Sequence, residues 1–134
     1  MARTRNQGSK WIRPAKRLAI YLRDDCRCAY CGRDASMGAV LTLDHIVACE
    51  LGGSNEEANL ITACRSCNSS KQDITMRAWY KLLRDSGRDT TAISRFIRTR
   101  SQRDLTPFIR TAKNMMDSFD SADFDNYGQL ALAK

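Results

Sequence analysis

Apolar positions along the chain follow two rhythms, a helical one toward both ends and a shorter, strand-like one in the middle. After Pro14, which suits the first position of a helix, Ala15, Leu18, Ala19 and Leu22 recur at i, i+3, i+4 and i+7. This spacing predicts a helix with one apolar face and one Arg/Lys face, ending near Asp24–Asp25. LTLDHIVA at 41–48 reads as a strand, because aliphatic and β-branched residues surround a single Asp-His pair. A polar loop follows, turning sharply at Gly52-Gly53, with Ser54 and Glu57 spaced to cap one short helical turn. LITAC at 60–64 is a second short apolar segment, and CNSSKQD then opens a helix, since Asn68 and Ser69 both favour helix starts. Met76, Trp79, Tyr80 and Leu83 keep a helical period up to Gly87, a C-terminal stop. Ile93, Phe96 and Ile97 mark a further helix, and Thr106-Pro107 starts another that contains Phe108, Ala112, Met115 and Phe119. The pattern weakens from Asp120 onward.

The division this implies is a flexible basic arm (1–12), a core with its N-terminal helix (13–73), a helical extension (74–119) and an acidic tail (120–134). With 134 residues there is room for one modest domain with helical additions. No apolar run approaches the ~20 residues of a membrane span, and no signal core follows the basic N-terminus. The expected compartment is therefore a reducing cytoplasm. Charge sharpens the picture. Residues 1–23 carry seven Lys/Arg and no acid, and residues 24–76 carry four against eight acids. Residues 77–113 carry ten against three, and residues 114–134 one against four. An acidic centre between basic flanks suits a cation site served by phosphate-gripping arms, although solvated helix faces would give the same pattern.

Two Cys-x-x-Cys pairs, Cys28/Cys31 and Cys64/Cys67, are separated by 32 residues. Each pair can place two thiolates on one metal, and together they complete the tetrahedral shell of a structural zinc. The gap exceeds the usual ~15–20 residues, so something is inserted between the two knuckles. Disulfides compete as an explanation, but cytosolic thiols are kept reduced. A redox role is weaker still, because it needs only one such pair. Cys26 and Cys49 read as buried or partly buried free thiols, although Cys26 lies close enough to Cys28 to substitute as a ligand.

The single histidine, His45, follows Asp44 inside the segment the knuckles enclose. Alternate strand residues face opposite ways, so the two side chains diverge unless a bulge or strand end re-aims one. The run CAYCGR…LTLDHIVACELGGSNEEANLITACRSCNSSK resembles the HNH endonucleases, in the subgroup braced by a Cys-x-x-Cys pair on each side. The likeness covers residues 24–73 and includes the Asp-His dipeptide, the Gly-Gly loop, the Asn-Leu pair and Cys-x-x-Cys-Asn-x-x-Lys. It implies an α+β fold, a ββα-metal (His-Me finger) core with flanking helices. It also implies His45 as the general base, Asp44 as a metal ligand, Asn59 as the brace of the loop between the strands, and Asn68 as the second metal ligand, in place of the family's final His. Asp44 and Asn68 offer only oxygen, which favours Mg²⁺ or Mn²⁺. The implied reaction is hydrolysis of DNA, leaving a 5′-phosphate and a 3′-hydroxyl.

Double-stranded DNA is the expected partner and no membrane is involved. Arg13, Lys16 and Arg17 on the first helix, and Arg98, Arg100 and Arg103 toward the C-terminus, are candidate phosphate contacts that carry no sequence information. Lys71, one turn beyond Asn68, is a further candidate, with a plain surface charge as its alternative. A non-catalytic zinc-braced nucleic-acid binder and a protein–protein adaptor are the competing functional readings. Sequence specificity, nick versus double-strand cut, dimerisation through the C-terminal helices, and a homing, restriction or phage-packaging role all stay open.

Overall fold

The computed structural model describes residues 12–118, so the basic arm up to Trp11 and the tail from Phe119 lie outside the described residues. Its first element is α1, Pro14–Arg23, with proline in the first turn as expected. The helix stops because Asp25 and Cys26 adopt positive φ angles of 63° and 54°, which reverse the chain. Cys28 to Arg33 then form a tight turn closed by Gly32 N–H to Cys28 O and Cys28 N–H to Arg33 O, both 2.9 Å.

β1, Leu41–His45, pairs antiparallel with β2, Leu60–Cys64, from Leu41 opposite Cys64 to His45 opposite Leu60. The first strand is shorter than its apolar run, which extends to Ala48. It ends because Asn59 takes over the next backbone groups: its Oδ1 accepts from Val47 N–H at 2.8 Å and its Nδ2 donates to Val47 O at 3.0 Å. Short 3-10 turns occupy Cys49–Leu51 and Glu57–Asn59, the latter a few residues beyond the turn expected at Ser54–Glu57. α2, Arg65–Lys71, follows β2 directly. It starts earlier than Asn68 and Ser69 suggested, because the Cys64 sulfur takes the place of the usual capping oxygen and accepts from Cys67 N–H at 3.4 Å. The order β1–β2–α2 is the expected ββα unit, and α3 (Met76–Asp85), α4 (Thr90–Ser101) and α5 (Thr106–Ser118) complete the described chain.

Every residue of β2 is buried, and this strand divides two apolar clusters. On one side Leu18, Ile20 and Tyr21 of α1 pack with Leu41, Leu43, Leu60, Leu105 and Ala112. On the other, Cys28, Tyr30, Ile61 and Ala63 pack with Trp79, Leu83, Ile93 and Ile97. The faces of α3, α4 and α5 are thus used within the chain, as expected, α5 lying along α1. Burying each of the Leu and Ile side chains among them contributes about 1.5–3 kcal/mol.

The Arg/Lys face expected on α1 is partly internal. Arg17 is 3% exposed and Arg23 is fully buried. Arg23 donates to both Asp24 carboxylate oxygens (2.7 and 3.1 Å), to Glu57 O (3.0 Å) and to Leu60 O (2.6 Å). Asp24 in turn accepts from the backbone N–H and hydroxyl of Thr62, each at 2.9 Å. This network sews the end of α1 to β2 and to the turn before it. No helix among the described residues is long and apolar enough to cross a membrane.

Candidate metal centre and the Asp44–His45 site

The ligand sulfurs of Cys28, Cys31, Cys64 and Cys67 lie within 4.8 Å of one another. Cys31 and Cys64 are 3.8 Å apart, and a tetrahedron with ~2.3 Å metal–sulfur bonds has an edge of about that length. Backbone N–H groups point at the sulfurs: Tyr30 to Cys28 at 3.3 Å and Cys67 to Cys64 at 3.4 Å. A hydrogen bond from the Cys67 thiol, with backbone donors at Cys64, Cys31 and Tyr30, lowers the Cys28 thiol to about 5 against the cost of burial. Its thiolate in turn raises Cys67, and burial raises Cys31. Four sulfurs converging at this spacing are the donor set of a tetrahedral zinc site. Cys26 lies outside the quartet and packs against the α1–α5 cluster, its thiol pushed up by burial and by nearby acids.

The quartet sits beside the Asp44–His45 pair. The residue between the first two cysteines, Tyr30, is buried with its ring edge-on to Trp79 at 5.5 Å between centroids. Arg88 donates to its carbonyl at 2.8 Å. So fixed, the Tyr30 hydroxyl donates to Asp44 Oδ2 at 2.5 Å. Asp44 is 4% exposed. Burial pushes its carboxyl up, and the facing Lys71 ammonium and the Tyr30 hydrogen bond oppose that rise.

Lys71 corrects the sequence reading. As the last residue of α2 it is 0% exposed, neither a surface charge nor a phosphate contact. Its Nζ lies 3.3 and 3.4 Å from the two Asp44 oxygens and donates to His45 O at 3.0 Å. Asn68, one turn earlier, donates to Thr42 Oγ1 (3.0 Å) and Leu43 O (3.2 Å). These bonds use the amide nitrogen. They also press Asn68 against the strand residues just before Asp44.

His45 is half-buried at the end of β1, where the strand no longer dictates its direction. Its Nε2 is 2.8 Å from Asn55 Oδ1 and 3.3 Å from Cys49 Sγ. The Asn55 amide oxygen facing Nε2 suits the tautomer that carries its proton there. Asn59 spans the loop between the strands, adding a 2.8 Å bond to Ser54 O to its two bonds with Val47. Tyr30 and Asn55 escaped sequence reasoning. One stands inside a metal-binding motif as an apparent spacer, and the other is one of several polar loop residues.

The remaining candidate phosphate contacts divide. Arg13 and Arg98 are exposed, whereas Arg17 is buried and so cannot serve. Lys16 pairs with Glu57 at 3.5 Å. Arg100 pairs with Asp25 at 2.7 Å, holding that carboxyl below its usual range, and stacks on Phe96. Arg103 is exposed over the Phe108 ring. On the first flank Arg17 and Arg23 are thus spent inside the fold, whereas the Lys and Arg residues of 77–113 stay exposed or half-buried.

Two curated proteins and one family model are similar to this chain in sequence. The CRISPR-associated endonuclease Cas9 of Corynebacterium diphtheriae is 29% identical over 107 residues, 77% of this chain and 10% of that protein. The SPbeta prophage-derived protein YoqL of Bacillus subtilis (strain 168), named as an HNH endonuclease, is 36% identical over 61 residues, 40% of this chain and 26% of that protein. The chain therefore spans about a tenth and about a quarter of these curated relatives. No solved structure matches it significantly. Residues 28–73, which hold the thiol quartet, Asp44, His45, Asn59 and Asn68, match the HNH endonuclease family.

Proposed function

We propose that this chain is a metal-dependent DNA endonuclease of the bacterial cytoplasm, acting on double-stranded DNA and leaving a 5′-phosphate and a 3′-hydroxyl. One observation carries the reading. A buried carboxylate matched by a buried cation lies next to a half-exposed imidazole, on a β1–β2–α2 unit braced by four convergent thiols. In this reading the quartet holds a structural zinc. Asp44 and the Asn68 carbonyl hold one Mg²⁺ or Mn²⁺ ion, which when bound neutralises the scissile phosphate and the departing oxygen. His45 takes the proton from the attacking water at Nδ1, while Asn55 fixes the ring through Nε2. Asn59 acts at one remove by closing the loop that carries Asn55. Arg13, Arg98 and Arg103 remain as backbone contacts.

The test is cleavage of supercoiled plasmid by zinc-loaded protein with Mg²⁺, Mn²⁺ or no added ion, followed by mapping of the ends. Nicking should require the ion and leave 5′-phosphates. A general base typically contributes about 10²–10⁴-fold, so folded His45→Ala should lose at least about a hundredfold. Cleavage at the wild-type rate by that variant overturns the assignment of His45. Salt-sensitive DNA binding without cleavage under any ion would instead favour the non-catalytic binder.

A further inference from the structure

Lysine is among the residues least often fully buried, and burying an ammonium is costly unless a partner compensates. Lys71 is buried completely and faces the carboxylate that the proposed function assigns to the cation. Its distances of 3.3 and 3.4 Å to the two oxygens are longer than the ~2.7–2.9 Å of a tight charge-assisted hydrogen bond. The ammonium therefore sits astride the carboxylate as a point charge and does not grip either oxygen. Its shorter bond, 3.0 Å, runs to His45 O, an anchor that does not depend on Asp44. Asp44 likewise has a second hold, the Tyr30 hydroxyl on Oδ2, which does not depend on Lys71. The pair is built so that either member can lose the other and stay in place. A unit positive charge and a divalent ion sharing one carboxylate in a buried setting repel each other.

We propose that Lys71 is the resting counter-ion of Asp44: its ammonium balances the coordinating carboxylate while no divalent ion is bound, and the ion binds at the expense of the Lys71–Asp44 contact. Lys71 is thus a positioning residue that sets how tightly the ion is held. Tyr30 keeps the carboxylate in position through the exchange. The inference rests on the reading of Asp44 as the ligand of the working ion.

The experiment is a Mn²⁺ titration followed by electron paramagnetic resonance on zinc-loaded wild type, Lys71→Met and Asp44→Asn, with no DNA present. Wild type should bind one ion and Asp44→Asn should lose it. Lys71→Met keeps the stem and removes the charge, so it should bind the ion at least tenfold more tightly. Folded Lys71→Met with unchanged or weaker affinity overturns the proposal and leaves Lys71 a permanent structural partner, with the assignment of Asp44 intact. Wild-type binding that Asp44→Asn does not alter removes that assignment, and this proposal with it. Should Lys71→Met fail to fold, the wild type still decides. The ¹⁵N–¹H resonance of the Lys71 ammonium should shift or broaden away as Mg²⁺ saturates, and a resonance that Mg²⁺ leaves unmoved refutes displacement.

Discussion

Replacing Gly53 by alanine would test whether the loop between β1 and β2 sets the geometry of His45. A Cβ built at Gly53 overlaps Val47 O outright and falls 2.6 Å from Val47 C and 2.8 Å from Asn59 Nδ2. Two of those atoms are backbone, so no side-chain rotation relieves the overlap. Reaching ordinary contact requires Gly53 and Val47 to separate by roughly 1.5–2 Å. That movement breaks the bonds that close the loop: Gly53 N–H to Ala48 O at 3.0 Å, Asn59 Nδ2 to Val47 O at 3.0 Å, and Asn59 Nδ2 to Ser54 O at 2.8 Å. At about 1 kcal/mol net for each, with water replacing part of the loss, the cost is about 2–3 kcal/mol. For a domain of this size that is a fall in Tm of about 8–20 °C. Asn55 rides on the same loop, and a misplacement of about 1 Å at a catalytic group costs on the order of a hundredfold in rate. Gly52→Ala is the internal control. Its Cβ meets nothing within 4 Å, but its φ of 93° penalises a side chain by about 1–2 kcal/mol. It should lose some stability and keep plasmid nicking within about tenfold. Melting and nicking measured together on both variants decide the matter, and Gly53→Ala with wild-type values in both would refute the reasoning.

Two further outcomes concern the frame around the site. Arg23→Met strands the Asp24 carboxylate in the interior and strips the donors from Glu57 O and Leu60 O, a loss of about 3–5 kcal/mol that a urea midpoint should register; an unchanged midpoint would mean that the network contributes nothing to the fold. Elemental analysis should find one zinc per chain, and in the zinc-loaded protein a thiol reagent should reach at most Cys26 and Cys49. Removing the zinc should expose all six cysteines and melt the β1–β2–α2 unit, whereas native protein that reacts at all six would exclude a loaded quartet.

The elements were legible because each carried a local signal: Pro14 opening α1, apolar spacing through α3 and α4, Gly87 ending the first of these. The thiol quartet was legible because two ligands per knuckle is a spacing that chemistry dictates. What escaped was decided by burial between distant segments. The periodicity of α1 counts apolar residues only, so it did not show that β2 and α5 enclose the helix far enough to bury Arg17 and Arg23. Lys71 looked like a surface charge because its partner stands 27 positions earlier, on a strand that α2 covers. Asn68 looked like a helix start because an oxygen cap is the usual signal, and here a cysteine sulfur serves. Asp44 and His45 were named through their resemblance to a family. Their supports, Tyr30 and Asn55, become visible only when the chain is closed.

The position of the knuckles has a consequence for how the chain reaches its working form. Cys31 and Cys64 bracket the whole of β1, both Asp44 and His45, and most of β2. A metal bridging the pairs acts as a cross-link that removes loop-closure freedom from the unfolded chain, worth about 3–4 kcal/mol for a loop of this length if the entropy model for cross-links is carried over. A nascent chain released only as far as Ala63 already contains Asp44 and His45, yet nothing closes them into one geometry. With a metal as that cross-link, closure of the unit would wait for a mid-chain event in synthesis, the arrival of Cys64 and Cys67. A cell that starves the chain of that metal would hold it as an inert polypeptide.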